Sequence, residues 1–300
     1  MKTNLILPPT SLVICSRNRP KLLSETVASI LRGKDVPTEM IIVDQSTEPH
    51  AELSVMKGSP SCEILYIHSK IVGVGASRNF GIRSSRFEIL IFIDDDMFVE
   101  PDWFRNLVQA VIKAGPCSVV TGQVLTGESE VPGGIAPSIK KDQQPAVYQG
   151  RIRKDVLYTG NMGAYRSVFD QVGVFDERLG PGTSFPAAED NDLGFRLLEQ
   201  GYRICYVPEA VVYHRAWRSE RENLALEWRY GVGRGAYYAK HMSWQDSYMF
   251  SRMVHDVKGS VMNFLGHIIY RRRLRFEYVV SASGILYGVI RWRVNQRRKS

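Results

Sequence analysis

The chain is short of several things at once, and each shortage removes a class of explanation. Its 300 residues contain four cysteines, Cys15, Cys62, Cys117 and Cys205, with no C-x-x-C pair and no companion histidine spacing. Neither a zinc site nor a disulfide framework is indicated, and a reducing cytoplasm suits such a chain best. Met1 to Pro9 lacks the basic n-region and long apolar core of a signal peptide. Nothing in the first 270 residues approaches the ~20 apolar residues of a membrane-spanning helix. No internal repeat stands out at any useful period.

What the chain does have is apolar residues, 44% of the total, enough to bury a sizeable core over about two domains. Its net charge of +8 is unevenly placed. Arg218 to Ser300 holds sixteen Lys/Arg against six Asp/Glu, a surplus of +10, and the first 217 residues carry 23 against 25, or −2. This pattern predicts a catalytic domain over residues 1–217 and a helical, basic region over 218–300 that meets something anionic.

The first third alternates strands with helices. Ser11–Cys15, Met40–Asp44, Glu63–Ile67 and Glu88–Ile93 are apolar strands, and helical spacing follows Pro20 and runs over Ala76–Ser84 and Pro101–Ala114. Strands of this kind predict an α/β fold, a mostly parallel sheet covered by helices on both faces. Ligands then bind beyond the carboxyl ends of the strands. The residues collected there are Ser16, Arg17 and Asn18 after the first strand, Asp44 after the second, and Asp94, Asp95 and Asp96 after the fourth. From Gly122 to Asp155 periodicity is lost, predicting a long mobile loop. A helix is expected over Ala187–Gln200, two short strands over Arg203–Val207 and Ala210–Tyr213, and long helices beyond Arg218.

Two acidic features carry the chemistry. Three ionised carboxylates at Asp94–Asp96 repel one another, so they need a cation, a basic partner or a phosphate-bound metal. A solvated strand end is the plainer alternative, but the buried run Ile89–Ile93 before it favours a divalent ion. The second feature is Asp190, which shares a helix face with Leu193 and Leu197 at i, i+3, i+7 and so lines a cleft. Glu189 beside it gains from the helix N-terminus, whereas Asp192 with Arg196 reads as an ordinary surface i,i+4 pair.

Taken in order, Asp44, Gly75-Ala-Ser-Arg-Asn79, Asp94-x-Asp96, Glu189-Asp190-x-Asp192-Leu193-Gly-Phe-Arg196 and the stretch Gly201 to His214 resemble a family 2 glycosyltransferase with the GT-A fold, over roughly Ser11 to His214. The resemblance implies an inverting, metal-dependent transfer from a nucleotide-diphosphate sugar to an acceptor hydroxyl, in polysaccharide, glycolipid or other envelope glycan synthesis. It implies that Asp44 meets the base, that Ser16, Arg17, Arg78, Asp94, Asp95, Asn161 and Glu189 serve the nucleotide sugar, and that Gly160 and the Phe175-Asp176 turn line the sugar and acceptor side. It further implies Mg2+ or Mn2+ on Asp96, with Asp94 and His214 as further ligands, and Asp190 as general base. From the residues alone, Asp44 can equally start an Asx-turn, Arg78 can pair with a rim carboxylate, and His214 can be a core or surface residue. Gln45 departs from the family pattern, where an acid is common.

The tail from Phe276 to Ile290 is apolar between arginines and too short to span a bilayer. It reads as a helix on an anionic membrane surface, peripheral at the cytoplasmic side, or as a helix packed on the catalytic domain. Gly284 and Gly288 signal a helix contact. Gly231-Val-Gly-Arg-Gly235 also reads as helix packing, since no strand precedes it as a dinucleotide fingerprint requires. The competing functions are a nucleotidyltransferase, against which the turn Cys15–Pro20 lacks glycine, a non-catalytic membrane or nucleic-acid binder, which has no use for the acidic rim, and a glycosidase, which uses paired carboxylates without metal. No nucleic-acid partner is expected. A glycan or lipid-linked acceptor is.

Overall fold

A computed structural model of the protein describes residues 6–215, 217–270 and 273–297. The first apolar runs form β1 (Thr10–Ser16), α1 (Pro20–Leu31), β2 (Glu39–Asp44), the two-residue β3 (Gly58–Ser59), β4 (Cys62–His68), α2 (Val74–Ser84) and β5 (Ile89–Asp94). Then come β6 (Met97–Val99), α3 (Trp103–Ala114), β7 (Ser118–Thr126), β8 (Ala146–Tyr148), β9 (Asn161–Tyr165), α4 (Arg166–Val172), α5 (Glu189–Glu199) and β10 (Arg203–His214). Three long helices follow: α6 (Glu220–His241), α7 (Tyr248–Ile269) and α8 (Glu277–Arg297).

The strands form one sheet in the order β3-β4-β2-β1-β5-β9-β7-β10-β6, with β8 on β10. β4, β2, β1 and β5 are parallel, while β9 runs antiparallel to both its neighbours. Because β1 lies between β2 and β5, the winding reverses there and opens a crevice at the carboxyl ends. Register aligns Ser16 with Asp44 and Cys15 with Asp94, so the acids of β2 and β5 reach one rim. Successive side chains serve opposite faces. Leu12 and Ile14 meet α1 and α3 through Leu23, Val27 and Leu107, and Val13 meets α2, α4 and α5 through Ile82, Phe169 and Leu193. Burial on both faces explains the unbroken apolar runs.

Three expectations are corrected. The stretch after Gly122 is not all loop: β7 continues to Thr126, Val124 and Lys140 exchange backbone hydrogen bonds, and β8 pairs with β10. Gly122 and Gln123 hide the strand because Gly122 has no room for a side chain against the Ala210 carbonyl. The two final strands are one, β10, whose register on β7 shifts between Val207 and Val211. Pro208 lies in that interval and has no N–H for the ladder. Asp192 is buried, and besides Arg196 at 2.9 Å it meets Lys240 at 2.6 Å and His241 at 2.7 Å, so the pair belongs to an interior network.

Beyond residue 217 a capping box at Ser219 and Glu222 opens α6. α6 and α8 run parallel, and their glycines meet: a Cβ on Gly231 would lie 2.9 Å from the Gly284 Cα, and one on Gly235 2.9 Å from the Gly288 Cα. Both small-x-x-x-small pairs therefore serve one close helix contact. The helices also cover the sheet-bearing half, with Val232, Ala236 and Trp292 on Leu179 and Phe185, and Tyr237, Met249 and Ile285 on Ala188. Among the described residues no helix is long and apolar enough to cross a membrane.

Candidate active site

Asp44 ends β2 fully buried, accepting from the Ser46 N–H at 2.9 Å and the Tyr66 hydroxyl at 2.6 Å. The Ser46 contact is the Asx-turn. Beside it opens a cleft of about 590 Å3 lined by Asn18, Lys21, Ser46, Thr47 and His50, a volume suited to a small ligand. Arg17 is exposed near it.

The three acids after β5 find different partners. Asp94 binds the Arg78 guanidinium at 2.8 Å. Asp95 accepts from the Ser16 hydroxyl at 2.7 Å and from Arg19 at 3.1 Å, and Arg19 also reaches Asp96 at 2.9 Å. Arg19, which sequence reasoning passed over, is thus the basic partner that the cluster demands. Burial, then the neighbouring Asp96, pushes the Asp95 pKa up to about 7. Burial also opposes ionisation of Asp96, yet His214, Arg19 and Arg218 together hold its pKa below the usual carboxylate range. Arg218 is a second omission: its Nε is buried without a hydrogen-bond partner. No spacing marks either arginine, although each lies within four residues of a strand end.

His214 ends β10 against Asp96, Nε2 to Oδ1 at 3.4 Å, with Nδ1 3.2 Å from the Pro137 carbonyl. With Nδ1–H donated to that carbonyl, the Nε2–H of the protonated ring faces the carboxylate; burial opposes that charge, but Asp96 raises the His214 pKa, and loss of the Nε2 proton would give the tautomer a metal ligand needs. A carboxylate oxygen and an imidazole nitrogen 3.4 Å apart suit neighbouring positions around a small cation with bonds of about 2.1 Å. Among the described residues no group of three or more His, Cys, Asp and Glu is arranged to hold a metal. A cation held there would take those two protein ligands and complete its shell with phosphate and water. Asp94, expected as a further ligand, is instead drawn to Arg78 because the buried guanidinium needs its charge.

Arg78 links the two acidic features. It is buried over the Phe175 ring, 5.3 Å from its centroid, and binds Glu189 at 3.1 Å as well as Asp94. Of the two roles open to Arg78, the structure shows the pairing one. Glu189 is likewise engaged, and both fix the start of α5 against β5. The turn before α5 is tight: the Gly180 N–H donates to the Phe185 carbonyl, and Ala188, φ 73°, enters the helix in the left-handed region. A non-glycine residue held there is strained and marks functional turns more often than ordinary ones. Asp190 follows, half-buried, with Oδ1 accepting from the next backbone N–H. Burial, then Glu189, pushes its pKa up to about 7, where a carboxylate is a competent base near neutrality.

Three expected lining residues are committed elsewhere. Asn161 is fully buried, accepting from the Trp103 indole and donating to the Gln123 and Ala210 carbonyls. It ties strands together instead of lining the cleft. Phe175 is core, and Asp176 binds Arg178 and Lys240. At Gly160 a side chain would run into the Asp94 carboxylate. Burial pushes the Cys15 thiol up to about 12.

Residues 8–229 match the family described as "Glycosyltransferase like family 2". The chain belongs to that glycosyltransferase family. The transferase is 28% identical over 229 residues to a glucosyl-dolichyl phosphate glucuronosyltransferase of Haloferax volcanii, covering 71% of each chain. It is 22% identical over 249 residues to a chondroitin synthase of Escherichia coli, of which it spans only 36%. The mannosyltransferase PcManGT from Pyrobaculum calidifontis, solved with GDP-Man and Mn2+, superposes with a TM-score of 0.60 over 97% of this chain and 88% of that one at 13% identity. That likeness supports the GT-A fold alone. Family membership sets aside the nucleotidyltransferase, glycosidase and non-catalytic readings.

Proposed function

We propose that the protein is an inverting, metal-dependent glycosyltransferase that moves a sugar from a nucleoside diphosphate to an acceptor hydroxyl in envelope glycan synthesis. The observation that supports the reading is the pairing of Asp96 with His214, together with Arg78, which ties Asp94 to Glu189 beside Asp190, whose pKa is raised. Asp44 and the cleft beside it receive the base. Asp96 and His214 hold the ion, Mg2+ or Mn2+, which when bound supplies Lewis-acid stabilisation of the departing diphosphate. Arg19 and Arg218 bring positive charge to the same end of the site. Asp190 takes the proton of the acceptor hydroxyl as its oxygen bonds to the anomeric carbon and the bond to the diphosphate breaks. Attack from the face opposite the leaving group inverts the centre. The acceptor is a glycan or a lipid-linked sugar, met at the cytoplasmic face of a membrane.

Calorimetric titration with UDP, GDP and dTDP, each with Mn2+ and then with excess chelator, tests this. Tight binding of one diphosphate that disappears with chelator is expected and fixes the nucleotide. Absence of binding by all three under both conditions would sink the donor site.

A further inference from the structure

Among the described residues, 16 of the 26 large hydrophobic side chains left exposed lie beyond Ser243. They crowd the end of the α7–α8 hairpin, where Val261, Leu265, Ile268, Ile269, Leu274 and Phe276 are between 42% and 71% exposed. α7 buries only Met249, Arg252 and Met253, all near its start, so its second half covers no core. A patch of this kind on a well-packed protein calls for a partner. The surrounding charge says which. Tyr248 to Ser300 contains eleven Lys/Arg and two Asp/Glu, and Lys258, Arg273 and Arg275 are exposed among the apolar side chains.

We propose that the end of the α7–α8 hairpin docks the protein on an anionic lipid surface, with Ile268, Ile269, Leu274 and Phe276 entering the acyl boundary and Lys258, Arg273 and Arg275 meeting the headgroups. Apolar burial and attraction between arginines and anionic lipid reinforce one another in such an element. A second copy fits less well, since it would bring two strongly positive surfaces together. Nucleic acid fits less well too, because aliphatic side chains offer bases neither stacking nor hydrogen bonds. The contact also differs from a helix lying flat along Phe276–Ile290. The inner face of α8, with Ser281, Gly284, Ile285 and Gly288 buried, is already taken by α6. The proposal goes beyond the catalytic reading and does not depend on the donor or metal assignments.

The test is co-sedimentation of the full chain with vesicles of phosphatidylcholine, with and without phosphatidylglycerol, alongside light scattering of the protein alone. The protein should pellet with the anionic vesicles, stay in solution with the neutral ones, and release as salt is raised. Changing Ile269→Ser and Phe276→Ser together should weaken vesicle binding roughly tenfold or more. Melting temperature and nucleotide binding should stay unchanged, because both side chains are exposed. Failure of the unaltered protein to bind anionic vesicles overturns the proposal, as does equal binding by the double variant. A stable oligomer that the double variant dissolves would also overturn it and give the patch to a second copy. Nucleotide titration of both proteins keeps a failed donor site distinct from a failed docking surface.

Discussion

Asp190 titrates where an enzyme works, and that makes its role measurable apart from its binding. Its pKa of about 7 in the folded site means that the carboxylate form, the one able to accept a proton, is depleted below that pH. Transfer should therefore rise with pH through about 7 and level off above it, seen in the pH profile of kcat/KM. Asp190→Asn should remove that limb and cut turnover by roughly 10²–10⁴ while leaving nucleotide affinity unchanged. Retained turnover would refute the assignment. Asp96→Ala should abolish the metal dependence of nucleotide binding, and equal affinity with Mn2+ and with chelator would count against its role. At this scale the sequence located Asp44, Asp96 and His214 at or just past strand ends and Asp190 in the first turn of a helix, and the structure places them there. The sequence was silent on Arg19 and Arg218, because a guanidinium aimed into a site and one in solvent have the same spacing. It misassigned Asn161, whose side chain is drawn inward by the Trp103 indole.

Between elements, the sharpest contacts are one ion bridge and one glycine face. Arg78 joins α2 to both β5 and α5, so Arg78→Met should leave Glu189 buried without a counter-charge and cost about 3–5 kcal/mol. Thermal or denaturant unfolding would read this directly. Gly235→Ala forces a methyl group onto the Ile285 carbonyl across the α6–α8 contact. Backbone has to shift to admit it, and a loss of about 1–3 kcal/mol is expected; an unchanged melting temperature would show that the helices part freely. The parallel strands were legible because burial on both faces writes an apolar run, and the glycine pairs because they repeat at helical spacing. β7 beyond Gly122 and the unity of β10 were not, since close backbone approach and a proline bulge both imitate a loop.

Across the molecule, Asp192 carries the load between halves, binding Lys240 and His241 of α6 from within α5. Burial opposes its charge, but His241, Lys240 and Arg196 hold its pKa below the usual value. A carboxylate with a depressed folded pKa adds stability above its unfolded pKa of about 3.9, and that stability is lost as pH falls through the lower folded value. Stability of the native chain should thus fall in that acid window, and Asp192→Asn should shallow the fall while lowering stability at neutral pH, as unfolding across pH would show. The change from sheet to helix near residue 217 was legible in charge and composition, whereas the packing of the helices onto the turn before α5 was not, being written in single buried side chains. The family match ends at residue 229, part-way along α6. Beyond that point stand Gly233, where a Cβ would lie 2.5 Å from the Ala187 carbonyl, and Tyr237, which packs on Ala188. The stretch that matches the family and the stretch that packs as one body are therefore different lengths of chain, and a protein cut at residue 229 would lose the helix wall behind the turn that leads into α5.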